Sequence, residues 1–377
     1  MAFKLPVYKA PDFSAPELVN APNCRLEAAV ADGVAPEYFH STSMFPEYFK
    51  INGEWRLAEE SRMDSSVVLR DDGKLDVVEN RNIRKGDLVV IGRSEDGHEG
   101  IYVHAKGFDD AEEEAADDGE PADQFAFRLG RSRETSYARD YDRLFELLNY
   151  EREHGKVVWV MGPAFAFDHD ARACMQALVE NGYVDALFAG NALATHDLEG
   201  ALFHTSLGQD IYTQKSQKNG HYNHLDVDNK VRRCGSIPKF IEEYGIDNGI
   251  IYSCVKNNIP IVLAGSIRDD GPLPEVIGNA YEAQNTMRDI VRGATTIICL
   301  ATMLHTIATG NMTPSFRVLE DGTIRPVFLY AVDAEEFVVN KLLDRGSLAA
   351  TTIVTNVQDF ITIVANGLGL DFRQYEK

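Results

Sequence analysis

The chain has 377 residues, a net charge of −22 and a pI near 4.8. Such a length buries large cores without covalent staples, and two domains are expected. The acidic balance excludes nucleic acid and anionic membrane as expected partners, because phosphate recognition needs clustered Lys and Arg. Five scattered cysteines (Cys24, Cys174, Cys234, Cys254, Cys299) with no CxxC pair read as reduced thiols of a cytoplasmic protein, without a disulfide frame or a zinc site. The N-terminus has no apolar signal region, and no apolar run approaches the ~18 residues of a membrane span.

Residues 1–135 are expected to form a small β-rich domain. Short alternating runs at Ser66–Leu69, Leu75–Val78 and Asp87–Gly92 are separated by the turn signals Asn52-Gly53, Asp72-Gly73 and Asp96-Gly97. Asp109–Asp123 (DDAEEEAADDGEPAD) reads as a solvated acidic insertion. Tyr137–His154 reads as a helix that bridges to the second domain, 136–377, with Leu144, Leu147 and Leu148 on one face. From Lys156 onward, apolar runs without alternation recur at Val157–Val160, Val184–Phe188, Ile259–Leu263, Thr296–Leu300, Val327–Ala331 and Thr352–Val354. Strands buried on both faces imply a parallel sheet, so the fold class is α/β, with a Rossmann-like doubly wound parallel sheet of about six strands.

Ligands of such sheets bind beyond the carboxyl ends of the strands. No GxGxxG occurs, so a dinucleotide site rests on position alone. Thr302-Met303-Leu304-His305 opens a helix whose free N–H groups can hold a pyrophosphate. Asp333, at the next strand end, is placed for ribose hydroxyls, or serves only as an N-cap; an acid there favours NAD over NADP. Asn356 and Val357 follow the last strand, where they would flank the adenine. The long stretch Asn311–Arg325, with its Glu320-Asp321-Gly322 turn, reads as an inserted hairpin or loop.

Long segments of the second half, GNALATHDLEGALFHTSLG (190–208), YSCVKNNIPIVLAGSIRDDGPLPEVI (252–277) and ATMLHTIATGN (301–311), together with EYFHSTSMF (37–45) and NGEWRLAEESRMD (52–64), resemble the NAD-dependent ornithine cyclodeaminases of archaea and cyanobacteria. The likeness spans Asp32 to Leu368, and that family shares the LOR/SDH conserved region. It implies a LOR/SDH-type N-terminal domain and an NAD site built from Asn191, Ala192, Asp270, Thr302, Met303, Leu304, His305, Asp333, Asn356 and Val357. Most family members carry Asp at the position of Asn356. The implied reaction takes hydride from Cα to give an imine, lets the δ-amine attack that carbon, releases ammonia, and returns the hydride to give proline. An NAD-dependent amino- or imino-acid dehydrogenase and a non-catalytic NAD-binding regulator are the alternatives. A small amino-acid substrate and a homo-oligomer, dimer or tetramer, are the expected partners.

That chemistry needs a cation for the substrate carboxylate, a proton carrier and a dry pocket. Arg268 is the candidate carboxylate clamp, or else an ion-pair partner of Asp269. Asp269 is a candidate for the substrate ammonium or as general base, and Asp270 faces the cofactor or serves as a turn residue before Gly271-Pro272. Lys256 is a candidate proton shuttle, or a lysine favoured at a helix end. Cys254 reads as a packing cysteine rather than a reactive thiol. His196, His204, His221 and His224 lack the third ligand at diagnostic spacing that a metal site needs, so no metal is expected.

Overall fold

The computed structural model describes residues 3–108, 137–269, 271–336, 338–339 and 348–375. The acidic insertion 109–123, the domain boundary expected at 135/136 and Asp270 lie outside the described residues. After one helical turn, α1 (Pro16–Val19), come β1 (Arg25–Ala28), β2 (Glu47–Ile51), β3 (Glu54–Leu57), β4 (Ser66–Leu69), β5 (Leu75–Val78), β6 (Leu88–Ile91) and β7 (Ile101–Val103). All their pairings are antiparallel, in two sheets ordered β1-β6-β4-β5 and β3-β2-β7. Asn52 and Gly53 close the β2–β3 hairpin with φ of 53° and 87°, the doubly left-handed turn that matches strand twist. Phe49, Val67, Val90 and Ile101 fill the core between the sheets.

The second part begins with α2 (Ala138–His154), β8 (Val157–Met161), α3 (His169–Glu180), β9 (Ala186–Gly190) and α4 (Asn191–Phe203). A small hairpin, β10 (Thr205–Ser206) and β11 (Gln209–Asp210), and the helices α5 (Asn223–Cys234), α6 (Ile237–Tyr244) and α7 (Ile250–Lys256) lead to β12 (Ile261–Ala264). Then come β13 (Val276–Ile277), α8 (Ala280–Val291), β14 (Thr296–Leu300), α9 (Met303–Met312), the hairpin β15 (Phe316–Val318) and β16 (Ile324–Pro326), β17 (Phe328–Asp333), β18 (Ala349–Val354) and α10 (Val357–Gly367). Among the described residues, seven strands form one parallel sheet ordered β13-β12-β9-β8-β14-β17-β18. The six expected strands are present, with ends shifted by a few residues. The seventh, β13, is a two-residue edge strand too short to show as an apolar run.

Every residue of β8 and β14 is buried, as a sheet covered on both faces requires. Val157, Trp159 and Met161 enter one core, while Val158 and Val160 enter the core on the other face. The inserted segment before β17 is a hairpin, with Gly322 at φ 84° in its turn. No helix among the described residues is long and apolar enough to cross a membrane.

The N-terminal sheets dock at the amino ends of the parallel strands. Ser61 shares a hydrogen bond of 2.6 Å with Ser315, Arg62 Nε donates to Asn311 O at 3.1 Å, and Glu60 pairs with Arg292 at 2.9 Å. Asn311 lies in the last turn of α9, Ser315 follows that helix and Arg292 follows α8, the helices that run back from the carboxyl ends. The carboxyl ends of the strands lie on the far side.

Candidate active site at the carboxyl ends of the strands

The strand order reverses between β8, first of the parallel strands in the chain, and β14. At such a switch the loops leave in opposite directions and open a crevice. Gly162, after β8, donates to Leu300 O at 2.8 Å, and a Cβ there would lie 2.1 Å from Ala301 O. Glycine is the residue that lets these two loops touch. Ala301 itself has φ 50°, a left-handed conformation that costs an alanine about 1–2 kcal/mol. This strained residue turns the chain from β14 into α9.

Two helices begin at the crevice, α4 and α9, and neither has a side-chain cap. Their first-turn N–H groups, those of Asn191, Ala192, Met303, Leu304 and His305, are left without a side-chain cap, with the positive ends of two helix dipoles behind them. The side chains of Met303 and Leu304 are exposed, so their part in this cradle belongs to the backbone. The cradle fits a dinucleotide pyrophosphate.

His305 contributes more than its N–H. Its Nδ1 lies 3.0 Å from Thr302 Oγ1, and its ring covers Gly190, where an added Cβ would stand 3.2 Å from Cε1. Burial holds its pKa below the ordinary histidine value, an effect that the charge of Asp269 opposes. The imidazole is thus neutral near pH 7, and it sits where the ends of β9, β12 and β14 meet. Asn191 Oδ1 accepts from Leu273 N at 3.0 Å and fastens the loop after β12 to the end of β9.

Asp333 ends β17, and its Oδ1 accepts from Glu335 N at 3.0 Å. One oxygen closes a turn at the strand end, while the other takes no hydrogen bond from the described residues. Asn356 is the N-cap of α10, with Oδ1 accepting from Gln358 N at 2.7 Å. Asp and Asn cap equally well, so Asn356 fills a role that either residue serves. Val357 differs from its expected place beside the adenine. It is 5% exposed and packs into the core, because it starts the apolar stripe Val357, Phe360, Ile361, Val364 of α10.

In the loop after β12, Asp269 Oδ2 accepts from Ser266 N at 2.8 Å and closes a tight turn. Arg268 is exposed, and among the described residues it forms no ion pair, with Asp269 or any other acid. Both residues stand at the crevice. Lys256 does not. It ends α7, the helix that precedes β12, so it lies at the amino end of the sheet, exposed and 3.9 Å from Glu180. Tyr252 and Glu180 raise its pKa, the opposite of what a proton shuttle needs. Cys254 is fully buried, and burial pushes its thiol pKa up, as a packing residue requires.

His196 Nδ1 pairs with buried Glu199 at 2.9 Å, and its ring stands 5.8 Å from that of His224. His221 is exposed, and His204 caps α4 in a left-handed conformation. Among the described residues no three His, Cys, Asp or Glu side chains converge as metal ligands. Sequence reasoning missed a wall of α5 that faces α4: Asp228 accepts from Thr195 Oγ1 at 2.8 Å, and the Arg232 guanidinium lies against Gly271. The signal was the spacing of His224, Asp228 and Arg232, four residues apart on one helix face.

Residues 144–364 match the family profile described as arginine dihydrolase ArgZ-like, C-terminal, Rossmann fold. An ornithine cyclodeaminase of Methanocaldococcus jannaschii is 39% identical over 358 residues, covering 93% of this chain and 79% of the relative. The crystal structure of a conserved LOR/SDH protein from Methanococcus maripaludis superposes with a TM-score of 0.81 at 35% identity, over 92% of this chain and 98% of that one. The ternary complex of AgrE with ornithine and NAD+ matches with a TM-score of 0.56 at 32% identity, over 93% of this chain and 46% of AgrE. The chain belongs to the ornithine cyclodeaminase family whose Rossmann domain is of the ArgZ-like C-terminal type.

Proposed function

We propose that this protein is an NAD-dependent cyclodeaminase that converts L-ornithine to L-proline and ammonia. The observation that carries the reading is the crevice at the strand-order switch, where two uncapped helix N-termini and a half-buried histidine converge. The relatives named ornithine cyclodeaminase, and the AgrE complex with ornithine and NAD+, support the substrate and the cofactor.

NAD, when bound, supplies a hydride acceptor that is restored within each turnover. The first turns of α4 and α9 would hold its pyrophosphate, and the free oxygen of Asp333 its ribose. Asn356 stands at the adenine end; Asp270 is proposed on the cofactor side from the family resemblance. Arg268 is long and unpaired enough to fold over the crevice and hold the substrate carboxylate in a bidentate grip. Asp269 sets the field at His305. The imidazole of His305, oriented by Thr302, is the group that takes and returns protons at the reacting amine.

The exposed apolar side chains Ile267, Met303 and Leu304 at the rim support a second subunit covering it, in a dimer or tetramer. Five free thiols support a reducing, cytoplasmic setting. Incubation with ornithine and catalytic NAD tests the reading: proline and ammonia without net NADH are expected. Stoichiometric NADH would make it a dehydrogenase, and tight NAD binding without turnover a regulator.

A further inference from the structure

On α5, His224, Asp228 and Arg232 share one face, while Val227 and Val231 point into the core. That face meets α4, where Thr195 Oγ1 holds Asp228 Oδ1 at 2.8 Å. The second carboxylate oxygen takes no hydrogen bond from the described residues. Beside it, His224 Nδ1 is buried without a hydrogen-bond partner among the described residues, a condition native folds seldom leave uncorrected. The neighbouring carboxylate, Glu199, is already occupied by His196, Thr205 and the N–H groups of Leu207 and Gly208. Asp228 is therefore the acid of this wall with capacity left. Burial raises its pKa, which an arriving cation would reverse.

Position gives this capacity a direction. Thr195 lies four residues along α4 from Asn191, about 6 Å along the helix axis from its first residue. A side chain of three methylenes spans that gap. Arg232 marks the near end of the wall, its guanidinium 2.9 Å from the place of a Cβ on Gly271, in the loop that carries Arg268 and Asp269.

We propose that Asp228, seated by Thr195, receives the ammonium at the far end of the substrate side chain and so selects diamino acids of ornithine's length. The inference rests on the cyclodeaminase reading and deepens it. A charge-assisted hydrogen bond of this kind is worth about 10- to 150-fold in affinity.

The test compares ornithine with norvaline, which has the same carbon chain and no distal amine, as substrate and competitive inhibitor of the full chain. Wild type is expected to prefer ornithine by that factor. Asp228→Asn keeps the acceptor for Thr195, so it is expected to fold, to bind NAD as wild type does, and to lose the preference. Thr195→Val should move the preference the same way by a smaller factor. If wild type neither binds nor turns over ornithine, the functional reading falls, and this inference with it. If wild type turns over ornithine and Asp228→Asn keeps the full preference over norvaline, the assignment of Asp228 alone is overturned.

Discussion

The two ends of the parallel sheet are built on opposite principles. At the amino end, Glu151 is fully buried and satisfied, paired with Arg325 at 2.5 Å and accepting from Thr295 at 2.7 Å and Thr296 at 2.9 Å. Around it the N-terminal sheets add further pairs, including Glu60 with Arg288 at 3.4 Å and with Arg292 at 2.9 Å. At the carboxyl end the helix N-termini are uncapped, Ala301 is strained, and apolar side chains stand in the open. At one end the buried charges find partners within the chain; at the other, helix N-terminal groups are left free for a ligand. Glu151, Arg325, Thr295 and Thr296 form a buried polar knot at the amino edge.

Breaking the knot should have the largest effect. Glu151→Ala leaves the Arg325 charge buried and unpaired and is expected to destabilise the fold by about 3–5 kcal/mol in denaturant titration. NAD affinity of the folded fraction should stay at the wild-type level. A stable Glu151→Ala protein with weakened NAD binding would join the two ends that the comparison separates.

At the carboxyl end, His305→Gln keeps a polar group near Thr302 and removes the proton carrier. A loss of about 10²-fold in kcat is expected, with NAD affinity unchanged. The pH profile carries the sign. The active form is neutral imidazole, whose folded pKa lies below the ordinary value. Wild-type activity should fall as pH drops through that lowered pKa, below about 6.5, and the variant's profile should lack this limb. The same depression makes the folded state bind fewer protons than the unfolded chain there, so stability also declines on acidification in that window. Asp333→Ala should come next, weakening NAD binding by about tenfold in calorimetry, while the lost turn hydrogen bond to Glu335 N lowers the thermal midpoint by no more than about 2–4 °C.

Much of this division was legible in the sequence, and the gaps have physical causes. The strands of the sheet centre showed as apolar runs because both of their faces are buried. β13 did not, since two edge residues carry no period. Strand ends located the crevice, but its polar wall on α5 comes from a helix far along the chain, brought to α4 by tertiary packing alone. His305 was legible as part of a helix start; its ring mattered because Gly190 leaves room for it, a contact no local pattern encodes. Val357 was misplaced although the stripe it begins was readable, since position after a strand end was weighed above helical periodicity.

The smallest expected effect tests the comparison from the other side. Lys256 was a chemical candidate by residue type, yet a helix that runs back to the start of a parallel strand must end at the amino edge. Its side chain is 56% exposed and its ammonium lies 3.9 Å from Glu180, an arrangement worth little at a solvated surface. Lys256→Ala should change stability by less than about 0.5 kcal/mol and leave both kcat and the pH profile at wild-type values. A collapse of kcat in that variant, with its fold intact, would place proton traffic at the closed end and undo the division of labour between the two edges of the sheet.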